Sequence, residues 1–255
     1  MILAEWLCEV AMDWNLENTL VFKAMSYLDY YMTLQPVQML SKFQLLGLAC
    51  LRAAMGDARK PTALVSEADK ALDAQRFAHV SDDTYTVEEV EQVTQLISGL
   101  VPDRLKTAPN MKMFLRSFWY RASLTGVLCA EEMHVYTLAS FFLQLSLLDL
   151  SCCAYSASLL AAASLCQALV FFGREGWPLP LQRFGSYRPE ELEGCRARLR
   201  DLAARVECPE LRRLWLASHE QHGYDEFREE WKRLLDVLRA PADVSGGGEE
   251  AMEQD

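Results

Sequence analysis

The sequence is short of positive charge: 25 Lys and Arg stand against 36 Asp and Glu in 255 residues, a formal net charge of −11. Phosphate backbones demand a basic surface, so this balance argues against a nucleic-acid ligand. Among eight cysteines there is no CxxC pair, and the adjacent Cys152 and Cys153 are poorly spaced for joint chelation. His219 and His222, with Glu220, share one helix face but have no third ligand nearby in sequence. Gly246-Gly247-Gly248 follows no strand pattern, which excludes a phosphate-binding loop. No arrangement of nucleophile, base and acid stands out. The chain does not read as an enzyme, and no catalytic residue, metal or cofactor is expected.

Membrane and export signals are missing too. Glu5 and Glu9 interrupt the first apolar run, and no basic stretch precedes it, so no signal peptide is expected. Ser151–Gly173 is 23 residues without a charge. Ser, Cys, Ala, Gln and Tyr make up much of it, which suits the central helix of a bundle better than a bilayer span.

What is present is ordinary for a globular protein: 51% hydrophobic and 24% charged residues. The cysteines fall mostly inside apolar helical patterns, the usage expected of reduced thiols in an intracellular compartment. Ser41–Met55 has no charged side chain between Lys42 and Arg52, and it is shorter than the roughly 20 apolar residues a bilayer span needs. A helix apolar on every side belongs at the centre of a bundle. Gly47 within it costs about 1 kcal/mol of helix propensity, so a neighbouring backbone is expected to approach there.

Apolar periodicity places helices on either side of this rod. Ile2–Trp14 carries Leu3, Leu7, Val10 and Trp14 along one face, with Ile2, Trp6 and Glu9 on a shoulder that could line a groove. Asn18–Thr33 follows, with Asn18 or Thr19 as candidate cap. Gly56–Pro61 is a break, Leu64–Phe77 a charge-laced helix, and Thr86 with Glu89 fits a capping box opening a helix through Leu100. Pro102–Thr107 reads as an inter-domain linker. Pro109 opens a helix through Arg121, Ser123–Ala130 is a loop, and Glu131–Leu150 and Tyr155–Phe172 are helices. A short helical turn after Trp177 precedes Pro189–Val206, whose arginines (Arg196, Arg198, Arg200, Arg205) read as a solvated face. Glu210–Leu238 is amphipathic. The tail from Pro241 holds five acids and no base and reads as disordered. A shift of 115 residues lays Leu28 on Leu143, Leu45 on Leu160 and Gly47 on Ala162, a faint internal repeat.

ILAEWLCEV (2–10), Leu28-Asp29-Tyr30, FQLLG (43–47), SDDTYT (81–86) and WPLPLQRFGSYRPEELEGC (177–195) resemble, in order and spacing, the two-box cyclins, most closely the mitotic and S-phase (A/B-type) group. The resemblance implies an all-α fold of two tandem five-helix cyclin boxes, residues 1–106 and 107–207. A helical extension (208–240) and an acidic tail (241–255) would follow. It implies a nuclear or cytoplasmic regulatory subunit of a cyclin-dependent Ser/Thr kinase, with no membrane or nucleic-acid partner. A role like that of transcription factor IIB, which shares the box, is opposed by the acidic charge. Matched residue by residue, it gives a docking groove for Arg-x-Leu type peptides. Ile2, Leu3 and Trp6 form the apolar pocket, Glu9 meets the peptide's basic residue, and Phe43 and Gln44 form the wall. On the kinase-facing side Asp29 and Leu45 keep the pattern. Gly56 stands where such cyclins have Lys, Thr94 where they have Glu, and Tyr30 where an Arg is common. These departures leave a second reading open, a cyclin-box scaffold that docks peptides without activating a kinase.

Overall fold

The computed structural model describes residues 3–35, 42–58, 74–129 and 132–205, all in helices and their connections. The elements are α1 (Leu3–Asp13), α2 (Asn18–Leu34), α3 (Phe43–Ala58), α4 (74–79), α5 (Val87–Leu100), α6 (Asp103–Thr107), α7 (Met111–Leu124), α8 (Met133–Ser146), α9 (Ala157–Phe171), α10 (Leu179–Gly185) and α11 (Pro189–Arg205). A 3₁₀ turn, Leu150–Ala154, joins α8 to α9.

The two charge-free rods become the axes of two bundles. α3 packs against α1, α2 and α5, and α9 against α7, α8 and α11. Leu45 through Leu51 are buried without a break, as are Leu160 through Leu169, so each rod is enclosed on all sides. The internal repeat is physical: Leu28 and Leu143, Leu45 and Leu160, and Gly47 and Ala162 are buried at matching places. None of the described helices is long and apolar enough to cross a membrane.

Several expectations shift by a few residues, each for a local reason. α7 opens at Met111 rather than Pro109 because Asn110 caps it, its side-chain oxygen accepting from the Met113 N–H at 3.0 Å. The Asn110 amide nitrogen donates to the Thr19 carbonyl at 2.9 Å, so one side chain both starts the second bundle and ties it to α2. α2 begins at Asn18, but neither expected cap acts; Glu17 is the cap residue and Thr19 bonds its carboxylate. The linker Pro102–Thr107 contains a turn of helix, α6. The helix expected over Glu131–Leu150 stops at Ser146, because the Asp149 side chain accepts from Ser151 N–H and starts the 3₁₀ turn. The Thr86–Glu89 capping box forms as expected, at 3.2 and 2.9 Å.

Two of the α11 arginines, Arg196 and Arg198, are not part of a solvated face. Arg198 pairs with Asp149, Arg196 with Glu193 and the Gln167 side chain, and Arg200 with Glu193. Arg198 fastens α11 to the 3₁₀ turn and Arg196, through Gln167, to α9, whereas Glu193 and Arg200 both lie on α11. Cys8, Cys50, Cys152, Cys166 and Cys195 are buried free thiols, while Cys129 and Cys153 are exposed. Burial pushes the Cys8 and Cys50 thiols up to about 12. The His219–His222 pair, Cys208, Arg205's side chain, the amphipathic stretch 210–238 and the acidic tail lie outside the described residues. So does most of the Leu64–Phe77 helix.

Candidate functional site

α1 and α3 meet where Leu3 lies over Gly47. A Cβ at residue 47 would sit 2.7 Å from Leu3 Cδ1 and 3.0 Å from Cδ2. The close neighbour is therefore a side chain, not the backbone expected from sequence. The missing methyl lets α3 seat the tip of Leu3. Leu3, Trp6 and Phe43 are half-buried and packed on the core, presenting one side to it and one to solvent. Glu9 and Gln44 are half-buried beside them, and Ile2 is outside the described residues. Beneath this strip Leu7, Val10, Leu45, Leu46 and Leu48 are buried. α1 thus splits into a buried face and a half-buried strip, and Leu3, expected on the buried face with Leu7 and Val10, lies on the strip with Trp6.

Gly47→Ala tests the seat. The clashing atoms are the flexible end of a half-exposed side chain, so Leu3 can yield, and the helix gains about 1 kcal/mol of propensity. We expect unfolding stability within about 1 kcal/mol of wild type by urea titration, but a several-fold loss of affinity for any ligand resting on Leu3.

The second group of expected residues is dispersed. Asp29 is exposed on α2, although enough protein surrounds its carboxylate to raise its pKa by desolvation. Leu45 is 6% exposed, a core residue that offers little surface. Gly56 is exposed near the end of α3, with nothing within 4 Å of a Cβ built there. Thr94, half-buried on α5, donates to the Val90 carbonyl at 2.7 Å. One turn earlier on both helices, Arg52 and Glu91 form an ion pair of 3.6 Å between α3 and α5. The end of α3 is also fixed from α2: the buried Tyr27 donates its hydroxyl to Asp57 at 2.6 Å. Burial and the Asp57 carboxylate both raise the Tyr27 pKa.

Sequence reasoning missed Lys112. This side chain is buried behind α1, its Nζ 2.5 Å from Ser140 Oγ and 4.8 Å from the centre of the Tyr136 ring. Burial, with the Arg116 guanidinium adding to it, lowers its pKa to about 7. No carboxylate pairs with it among the described residues. A single lysine in an amphipathic pattern carries no signal that it will be inside. No group of three or more potential metal ligands is found among the described residues.

Comparison with known proteins agrees with two helical bundles. The sequence model described as the cyclin N-terminal domain matches residues 1–100, and that of the cyclin C-terminal domain matches 109–227. The chain belongs to the cyclin family. Its relatives include A-type members: it is 30% identical to Cyclin-A1-1 of Arabidopsis thaliana over 196 residues, 76% of this chain and 40% of that protein. It is 27% identical to Cyclin-A3-2 of Oryza sativa subsp. japonica over 256 residues, 95% of this chain and 58% of that one. Against Cyclin-A1 of Mus musculus the identity is 29% over 201 residues, 78% and 43% of the two chains. The chain thus spans about half the length of these relatives.

Proposed function

We propose that this chain is a non-catalytic regulatory subunit in cell-cycle control that binds a cyclin-dependent Ser/Thr kinase and recruits substrates. Recruitment runs through the groove of Ile2, Leu3, Trp6, Glu9, Phe43 and Gln44, which takes Arg-x-Leu type peptides of substrates or inhibitors. The observation that carries this reading is the half-buried strip of α1, with Leu3 seated on Gly47 and Trp6 partly exposed on the same helix. An apolar peptide side chain buried there contributes about 1.5–3 kcal/mol. Glu9 on the rim selects a basic residue and speeds encounter more than it adds affinity. The boxes run over 1–106 and 107–207, and the complex works in the nucleus or cytoplasm.

The kinase would meet α2, α3 and α5 near Asp29, Leu45, Gly56 and Thr94. Gly56 and Thr94 offer no charge, which favours a second reading: a docking scaffold that binds peptides in cell-cycle or transcriptional assemblies without stimulating a kinase. The two separate by experiment. Gly56→Lys meets open space, and together with Thr94→Glu it supplies the charges that other cyclins carry there. Regained charge-assisted hydrogen bonds contribute about 1.5–3 kcal/mol. We therefore expect the double variant to retain a cyclin-dependent kinase about tenfold or more better than wild type in co-purification. If neither protein retains a kinase while both bind the peptide, the scaffold reading stands and the regulatory one falls.

A further inference from the structure

α7 shows solvent a face that its burial pattern does not require. At 100° per residue, Met113, Tyr120 and Leu124 fall on one line, opposite the buried Leu115, Phe118 and Ala122. They are 47%, 65% and 62% exposed. The stripe spans twelve residues, Met113 to Leu124, about 16 Å at 1.5 Å rise per residue. On the flank beyond Arg121, Phe184 of α10 is 48% exposed and packs edge-on against Phe118 at 5.8 Å. Apolar residues gathered this way mark interaction surfaces more often than scattered single ones do.

The charge around the stripe points to its occupant. From Arg104 to Ala130 the sequence holds no acid, in a chain whose net charge is −11; of its five basic residues Lys112 is buried and Lys106 bonds Asp103 and the Ser98 carbonyl, which leaves the arginines. Arg116 and Arg121 flank the stripe on opposite shoulders, both exposed. Neither pairs with a carboxylate among the described residues; Arg121 lies 5.7 Å from the centre of the Phe184 ring. A second copy of this chain would bring like charges together across a two-fold axis. The chain's own tail from Pro241 has the acids, but only Val244 and Met252 as sizeable apolar residues to cover the stripe.

We propose that the outer face of α7 docks an acidic amphipathic helix of another protein. Its apolar residues would lie on Met113, Tyr120 and Leu124, and its carboxylates on Arg116 and Arg121. This surface is separate from the α1–α3 groove and does not depend on what that groove binds.

The test uses the full chain and two synthetic sixteen-residue helical peptides. Both carry leucines at i, i+4, i+7 and i+11; one is flanked by glutamates, the other by lysines. Fluorescence anisotropy should show saturable binding of the acidic peptide alone, at least tenfold weaker at 300 mM than at 50 mM salt. Leu124→Asp and Arg116→Glu/Arg121→Glu should each weaken binding at least tenfold with the circular dichroism spectrum unchanged, while Trp6→Ala leaves it unaltered. Equal binding of both peptides, or binding that survives Leu124→Asp, would overturn the proposal. So would tenfold tighter binding by a chain ending at Ala240, which would assign the face to the acidic tail. Self-association abolished by Leu124→Asp would assign it to a second copy, with the same consequence.

Discussion

Lys112→Met is expected to make the protein more stable, not less. At neutral pH the wild-type chain holds an amine inside with one hydroxyl and one ring as partners, and no carboxylate to offset the lost hydration. Methionine fills similar volume without that cost. Replacing buried charge by well-packed apolar groups typically gains about 1–4 kcal/mol. The lost Ser140 hydrogen bond and cation–π contact place the net in the lower part of that range. The pH dependence carries the sign. The unfolded chain keeps the Lys112 proton up to its ordinary pKa of 10.5, whereas the folded chain releases it near 7. Between those values the unfolded state binds the extra proton, so wild-type stability rises with pH, by up to about 1.4 kcal/mol per unit. Below 7 both states carry it and the dependence vanishes. Urea titrations at pH 7 and pH 9 should show wild type gaining on Lys112→Met. Comparing the two proteins cancels the buried thiols, whose raised pKa values act in the opposite direction. A parallel response in both would show that the amine is hydrated.

The second large effect is expected at Trp177→Ala. This indole is 2% exposed, donates its N–H to the Tyr187 carbonyl at 3.1 Å and meets the Phe118 ring edge-on at 5.5 Å. A Cβ at Gly185 would lie 3.2 Å from it, so the corner is packed without slack. Truncation loses the ring's burial and opens a cavity, typically about 3–5 kcal/mol, and it strands the Tyr187 carbonyl. Against a domain stability of roughly 5–15 kcal/mol, the C-terminal bundle should lose a large part of its resistance to denaturant. Gly185→Ala should show the same dependence in milder form, because its added carbon meets Phe118 at 3.0 Å.

That corner also shows why so much of the fold was legible. WPLPLQRFGSYRPEELEGC is a chain of local instructions: Pro178 before α10, a small Gly185 under two rings, Ser186 in the left-handed region, and Glu191 accepting from the Arg188 N–H. Each acts within a dozen residues, so sequence order carries it. The two axial rods were legible for a similar reason, since an uncharged run of that length has few places to go. What escaped depends on distance in sequence. Arg198 finds Asp149, and Lys112 finds Ser140, across turns that no periodicity encodes. The seat at Gly47 was seen as a close approach, but its occupant, Leu3, comes from another helix. The half-buried strip of α1 lies between these cases. Its residues are local and readable, while the floor beneath them is not.

The account rests on that strip being a working surface. Titrating the full chain with a peptide carrying Arg-x-Leu, and following Trp6 fluorescence or the heat of binding, tests it most directly. Saturable binding is expected, weakened by about tenfold or more in Trp6→Ala, in line with the 1.5–3 kcal/mol of one buried apolar contact. Binding that is absent, or equally strong in the folded Trp6→Ala protein, would contradict it.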